Sequence, residues 1–292
     1  MTATRLLRRW PEALIILFLT VAALTCLLPL VHELAMATSS NDAVLARKVG
    51  FWPVEPTLNS FREVFKDVSV LRSLVFSIYL TATFTVVAMA LTIACAYPLT
   101  RPELRGRKFF TTVIVITMYF SGGILPLYVL IKTLGLLNSM WSLILPLAVS
   151  PFNLIILRTS LLSVPDSITE SALIDGASYV RILTQIILPL SMPILATLSL
   201  FYAVGRWNMF QDALFYISDS KKWTLQLKLA YIVINNTSPE VFQLEGAAAG
   251  YRIVPAAMTA ATVIIATVPI LIAYPWLQRY FISGVMLGSV KE

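Results

Sequence analysis

Charged residues are scarce in this chain. They make up 13% of its 292 residues, about half the share usual in a soluble domain. Apolar residues reach 58%, more than a single soluble core of this size could hide from water, so a bilayer is the medium that fits. Cysteine is nearly absent: Cys26 and Cys95 both lie within apolar runs, where they read as small buried hydrophobes rather than a disulfide or metal pair. The single histidine, His32, stands at the edge of an apolar run with no nucleophile or metal cluster beside it, which argues against an intramembrane enzyme. No Gly-x4-Gly-Lys-Ser/Thr loop exists to cradle phosphates, so ATP is not expected to bind this chain. Ser121-Gly122-Gly123 lies in an apolar run and reads as a helix-loosening or close-packing site. No internal repeat stands out, and neither of the two long polar segments is of low complexity.

What is present is a series of apolar runs near the 20 residues a helix needs to cross the hydrocarbon layer. They cover 13–31, 73–97, 109–131, 140–157, 192–204 and 253–276. Pro146 and Pro151 interrupt the fourth, the fifth is short and begins in the segment before it, and the sixth carries Pro255, Pro269 and Pro275. The expected fold is all-α and integral to the membrane, with six transmembrane helices in a single domain over 1–292. Lysine and arginine in short flanks stay cytoplasmic. Arg5, Arg8 and Arg9 precede the first run, and Arg101, Arg105, Arg107 and Lys108 fill the connection after the second. Both termini are therefore expected on the inside. The formal charge of +7 is mainly this topology signal, not a nucleic-acid footprint. Ala35-Met36-Ala37 imitates a signal-peptide cleavage site, but the run before it is longer than a typical signal core and reads as an uncleaved span. Two long external segments follow, about 32–72 and 206–252.

The connection after the fourth run, 163–189, is cytoplasmic by this topology. Pro165 and Asp166 suit the first turn of a helix, where an acid meets the positive end of the dipole. Ile168, Ala172 and Ile174 give that helix a partly apolar face. Gly176 permits a backbone conformation that a Cβ disfavours. Ser178 can then cap a second helix, in which Val180, Leu183 and Ile187 follow helical spacing, and Pro189 ends or kinks it. The product is a helix, a sharp turn and a helix on the inner membrane face, tethered at both ends by spans.

This insert resembles the coupling loop of binding-protein-dependent ABC import permeases, whose pattern is EAA-x3-G-x9-I-x-LP. Glu170, Ser171, Ala172, Gly176, Ile186, Leu188 and Pro189 stand at every required spacing, with Ser171 in place of alanine as the one departure. Asp175-Gly176-Ala177, Trp207-Asn208 and the ending Gln278-Arg-Tyr-Phe281…Gly284…Gly288-Ser-Val-Lys291 resemble the carbohydrate-uptake branch. Asp212 to Asp219 and Leu225-Gln-Leu227 are similar to maltose-like permeases that serve oligosaccharides and polysaccharide fragments. The resemblance covers about Phe51 to Glu292. It implies an inner-membrane pore subunit without catalysis or cofactor of its own. The implied partners are a second permease, two ATPase subunits that bind ATP and Mg, and an extracytoplasmic solute-binding protein. It also implies ATPase coupling through Glu170, Ser171, Ala172, Asp175, Gly176, Leu188 and Pro189.

Polar positions within spans are tolerated where they face protein or a wet cavity. Asn153 fits either a pathway contact or an interhelical hydrogen bond. Tyr202, Trp207, Asn208 and Phe210 combine aromatic rings with an amide, a set suited to sugar hydroxyls and C–H faces. An interfacial aromatic belt is the other reading of Tyr202 and Phe210. Lys221-Lys222-Trp223 reads as a solvated loop. An ion-coupled secondary transporter is the alternative function, but it calls for ionisable relays near mid-span, and none is present. A permease for a non-sugar solute such as a peptide is the other alternative.

Overall fold

The computed structural model describes residues 3–120, 122–237 and 256–289, with side chains for 12–120, 122–234 and 256–275. Every element described is helical. The chain divides into two compact units, one of residues 1–71 with 228–268 and one of 72–227 with 269–292.

The first unit opens with α1, Ala3–Ala37. Its side chains are exposed without a break from Glu12 to Val31. A stripe facing a protein core would alternate buried and exposed positions, so a helix apolar and exposed all round needs an apolar solvent. After α1 the chain returns through α2, Asn41–Leu45, and α3, Asn59–Lys66. The return is pinned to the end of α1: His32 Nδ1 lies 2.8 Å from the Gly50 carbonyl, Val54 N–H donates to Ser39 Oγ at 3.0 Å, and Thr57 N–H donates to the Thr38 carbonyl at 2.8 Å.

α4 runs over Val68–Ala96, and a 3-10 turn at Pro98–Thr100 ends it. α5, Arg107–Tyr119, and α6, Ile124–Thr133, occupy the third apolar run. They are separate helices because Gly123 has φ 84° and ψ 170°, a combination essentially confined to glycine. A Cβ at Gly122 would meet nothing within 4 Å, so close packing within this chain is not what that glycine serves. α7, Trp141–Ile144, leads through a 3-10 turn to α8, Pro151–Leu161. Ser150 caps α8 by accepting from Asn153 N–H at 3.3 Å, and Pro151 holds the first position, where its missing N–H costs nothing.

The insert follows as α9, Asp166–Ile174, and α10, Tyr179–Ile182, which passes through a π turn into α11, Leu188–Leu190. α12, Met192–Asn208, is longer than the apolar run that marks it. The segment after α12 is not a bare loop where it is described. It folds as α13, Gln211–Tyr216, and α14, Leu225–Thr237. Thr224 caps α14 by accepting from Leu227 N–H at 3.2 Å, and Ser77 of α4 accepts from Leu225 N–H at 2.8 Å. α15, Ala256–Ser289, closes the chain and keeps Pro269 and Pro275 inside it.

Among the described residues, three helical stretches are long and apolar enough to cross a membrane: Glu12–Ala37, Val68–Thr100 and Ala256–Pro275. Three bent pairs pass the same test when each is taken as one span: α5 with α6, α7 with α8, and Tyr179–Leu190 with α12. Cys26 and Cys95 are both exposed, a correction to their reading as buried hydrophobes. In a chain surrounded by lipid, an apolar run need not face the protein interior.

Candidate functional site

The insert is built around one backbone reversal. Gly176 has φ +80°, the left-handed conformation that costs a residue with a Cβ about 1–2 kcal/mol. Ala177 N–H donates to the Ala172 carbonyl at 2.9 Å, and Gly176 N–H donates to the Leu173 carbonyl at 3.0 Å. Those two bonds are the Schellman closure of a helix end, with Asp175 at the C-cap. Ser178 then starts α10 by accepting from Arg181 N–H at 3.3 Å. The insert therefore consists of two short helices locked at an angle by a single glycine.

Its outward surface is unusual for a polar connection. Ile174 is 86% exposed and Val180 70%, with Leu173 and Tyr179 also exposed, while Ala172 beneath them is buried. Apolar side chains gathered on such a knob have the composition of a surface that another apolar surface covers. Glu170 is exposed beside them and, among the described residues, makes no hydrogen bond, so it does not cap its own helix. Ser171 Oγ donates back to the Ser167 carbonyl at 2.8 Å, and the small side chain at this position is occupied within its own helix. Leu188 and Pro189 lie in α11 at the far end. There the chain turns by 84° into α12, at buried Ser191. A cleft of about 560 Å³ lies between α8 and this corner, lined by Thr159, Ser160, Ser163, Leu190, Ser191 and Ile194 among others. Its walls are α8 and the α11–α12 corner, the elements that flank the insert on either side.

α12 carries the proposed pathway residues, and the structure separates them. The Tyr202 ring is 4% exposed. Its hydroxyl lies 2.6 Å from Thr92 Oγ1 and accepts from Ser150 N–H at 3.1 Å, which ties α4, α12 and the cap of α8 together. Trp207 is likewise buried, at 6% exposure, and offers no ring face to solvent in this conformation. Asn208, the last residue of α12, is exposed; its amide donates to the Val204 carbonyl at 3.0 Å and leaves its own carbonyl outward. Phe210 is half-buried just beyond. Asn153 is buried on α8, and among the described residues its amide forms no side-chain hydrogen bond. The interhelical bond that was its other reading is not made.

Two features around the C-terminal end of α12 and the segment that follows it were not anticipated. The side chain of Arg206 is fully buried. It donates to both carboxylate oxygens of Asp212, at 2.5 and 2.9 Å, and to the carbonyls of Leu143 at 3.0 Å and Met209 at 3.3 Å. This bracket fastens α12 to α13 and α7. The two charges cancel locally and are unavailable to a solute, so a charge count along the segment overstates what a solute meets. Asn138 is the second feature, with φ +57°, a conformation asparagine tolerates better than most residues. Its Oδ1 accepts from the N–H groups of Ser218 at 2.7 Å and Asp219 at 3.0 Å, and its carbonyl accepts from Lys222 Nζ at 2.6 Å. Lys222 thus latches two loops together.

Residues 87–286, which hold the insert, α12 and its bracket, match the model of the family described as binding-protein-dependent transport system inner membrane component. The chain belongs to this family. The permease is 40% identical over 282 residues to the polygalacturonan/rhamnogalacturonan transport system permease protein YtcP of Bacillus subtilis strain 168, covering 96% of this chain and 98% of that one. It is 39% identical to protein LplC of the same strain, over 94% and 93% of the two chains. Among solved structures, a chain of a bacterial ABC transporter involved in the import of the acidic polysaccharide alginate superposes with TM-score 0.84 at 29% identity, covering 94% of the permease and 97% of that chain. A second chain, from an alginate ABC transporter in complex with an alginate pentasaccharide-bound periplasmic protein, superposes with TM-score 0.60 at 16% identity, which speaks to the fold alone. The permease is thus an all-helical membrane protein of binding-protein-dependent transport, with the fold of an ABC importer permease.

Proposed function

We propose that the permease is one of two pore subunits in an ATP-driven importer of polysaccharide fragments. The observation that carries this reading is the glycine-locked insert: its exposed apolar face is continuous, through one corner, with the helix that reaches the outer rim. Of the two ATPase subunits, which bind ATP and Mg, one docks on Leu173, Ile174, Tyr179 and Val180 of this chain with Glu170 as the polar contact, and the other on the second permease. Ser171, Ala172, Asp175 and Gly176 shape that face, and Leu188 and Pro189 convey its motion. This chain contributes no catalytic residue. Six spans, three of them bent, place both termini and the insert in the cytoplasm of a bacterium and the 206–252 segment outside, toward the solute-binding protein.

The cargo is an oligosaccharide of uronate type. Support comes from the names of two relatives, since polygalacturonan and alginate are both polymers of sugar acids. It does not come from charge on the rim, where Arg206 and Asp212 cancel and Lys222 is engaged. Asn208 and Phe210 meet the solute directly at the outer end, while Asn153, Tyr202 and Trp207, all buried, hold the frame behind them. Reconstitution with the second permease, the ATPases and the binding protein tests this reading. Uptake of galacturonate or alginate oligomers over neutral oligosaccharides and peptides is expected. Peptide uptake without saccharide uptake removes the carbohydrate assignment, and uptake driven by an ion gradient without ATP removes the coupling one.

A further inference from the structure

Three guanidinium groups gather at the turn between α4 and α5. The turn Pro98–Thr100 offers consecutive carbonyls to two arginines from elsewhere in the fold. Arg158 of α8 donates from Nε to the Leu99 carbonyl at 3.1 Å, and Arg107 of α5 donates to the Thr100 carbonyl at 3.4 Å. Arg101, the next residue, lies over the Tyr97 ring at 4.6 Å, and its Nε is buried without a hydrogen-bond partner. The Tyr97 hydroxyl in turn donates to the Tyr179 carbonyl at 3.3 Å, which sets the cluster beside the start of α10. Arg105 and Lys108 are exposed on the same short connection, and its one acid, Glu103, is exposed as well. Among the described residues the ion pairs are Lys66–Glu63 and Arg206–Asp212, so no described carboxylate forms an ion pair with any of these basic groups. Arginine does not shed its proton, and like charges held this close repel one another unless an anion sits among them.

The surroundings say which kind of anion. Phe109 and Phe110 follow Lys108 directly and are 67% and 49% exposed. No residue of α5 is buried, and the helix beyond them is apolar. Basic groups bordered by exposed rings at the head of an apolar helix have the composition of a membrane–water boundary. An anion reaching this cluster from a soluble protein would leave the rings and the α5 face uncovered, whereas an amphiphile covers both. The geometry points to a binding site for the phosphodiester headgroup of an anionic phospholipid, held by Arg101, Arg107 and Arg158, with its acyl chains along Phe109, Phe110 and α5. This rests on α4 and α5 being membrane helices, but on neither the solute nor the ATPase partners. Through Tyr97 and Tyr179 the occupied site braces the insert from the membrane side.

Native mass spectrometry of the full-length permease, released from mixed phosphatidylglycerol and phosphatidylcholine, tests the site without any transport. The wild type should retain phosphatidylglycerol in preference. Arg107→Gln and Arg158→Gln should each reduce that preference about fivefold, the effect of one basic group at a membrane surface, while Arg107→Lys and Arg158→Lys keep most of it. Arg105→Gln with Lys108→Gln, both outside the turn, should lower retention without disturbing the fold, and Lys221→Gln on the outer loop should not. Equal retention of the two lipids by the wild type, or unchanged preference in the glutamine variants, overturns the proposal. So does equal retention of glycerol phosphate in place of lipid, which would make this a site for a soluble phosphate. Loss of copurifying ATPase in those variants with lipid preference intact would assign the cluster to an acidic protein surface instead.

Discussion

Replacing Gly176 separates conformation from contact unusually well, because a Cβ placed there meets nothing within 4 Å while φ is +80°. Any loss must come from the backbone. Alanine should cost about 1 kcal/mol and β-branched valine about 2 kcal/mol, whereas asparagine, which visits this region more readily, should cost least. The strain is relieved only by opening the closure made by Ala177 N–H on Ala172 and Gly176 N–H on Leu173, which frees α9 from its fixed angle to α10. If the docking face exists only in the closed form, about 2 kcal/mol lowers its population and the apparent affinity for the ATPase roughly 30-fold. The spans carry none of this strain, so membrane levels of the permease should hold. The assay is solute-stimulated ATP hydrolysis by the reconstituted importer across a titration of ATPase subunits. Valine should shift the midpoint most, alanine less and asparagine least, with the plateau preserved. A valine variant with the wild-type midpoint refutes the argument, and so does an asparagine variant as poor as valine, since strain would then not set the order.

Further outcomes follow from the same geometry. Arg206→Gln leaves Asp212 without its partner and should destabilise the permease by about 3–5 kcal/mol, the usual effect of breaking a buried pair; thermal unfolding in detergent measures this. Tyr202→Phe removes the link among Thr92, Ser150 and α12 and should cost about 1–3 kcal/mol, seen as a lower unfolding temperature with the binding protein's own solute affinity unchanged. Asn208→Ala should raise the solute concentration needed for half-maximal uptake without lowering thermal stability; equal effects on both would make it structural. Cysteines at Ser167 and Ser220, both exposed, report topology in a cysteine-free background. Ser220 should react with an impermeant reagent from outside, and Ser167 only after permeabilisation.

The parts legible in the sequence are those governed by local chemistry. The insert could be read because helix start, glycine reversal and second cap fall within a short stretch, and Asp166, Gly176 and Ser178 take up those roles. The apolar runs could be read because the bilayer demands length and apolarity, and Pro146 and Pro151 marked the break in the fourth, where the chain bends by 52°, but the full stop within the third could not. Gly122-Gly123 was noticed as loosening, yet only the backbone shows a complete halt between α5 and α6. The hydroxyl link among Thr92, Ser150 and Tyr202 joins positions far apart in the chain, and no local pattern announces it. Arg206 and Asp212 are six residues apart, and nothing in composition says that a helix end will fold back over its own arginine. Asn138 carried the one available hint, a residue that tolerates the left-handed region, placed just after Gly135 in a short connection. The helices of the external segment were hidden because charges of both signs mask an apolar face that packs through Ser77 and Thr224.

These long-range contacts decide how a motion of the insert reaches the rim. The hinge for α12 would lie at its N-terminal end, where Pro189 and Pro193 flank Ser191 and the helix meets α11 at 84°. At its C-terminal end three hydrogen bonds from Arg206 hold it to α7 and α13, and midway Tyr202 binds it to α4 and α8. A rod hinged at one end and clamped at the other two points does not slide alone. It must carry α4, α7, α8 and α13 with it, so a push on the insert should move them as a block rather than bend α12. Asn208, at the tip of that rod, then changes its facing without changing its neighbours. A cross-link between α12 and α13, made with cysteines at Val204 and Leu214 if they come within bridging distance, should therefore leave uptake intact. One between α11 and α8 across the cleft, at Leu190 and Thr159, should stop it by fixing the hinge. Transport surviving the second cross-link while failing with the first would mean that the helix bends, and that the Arg206 bracket is released in each cycle.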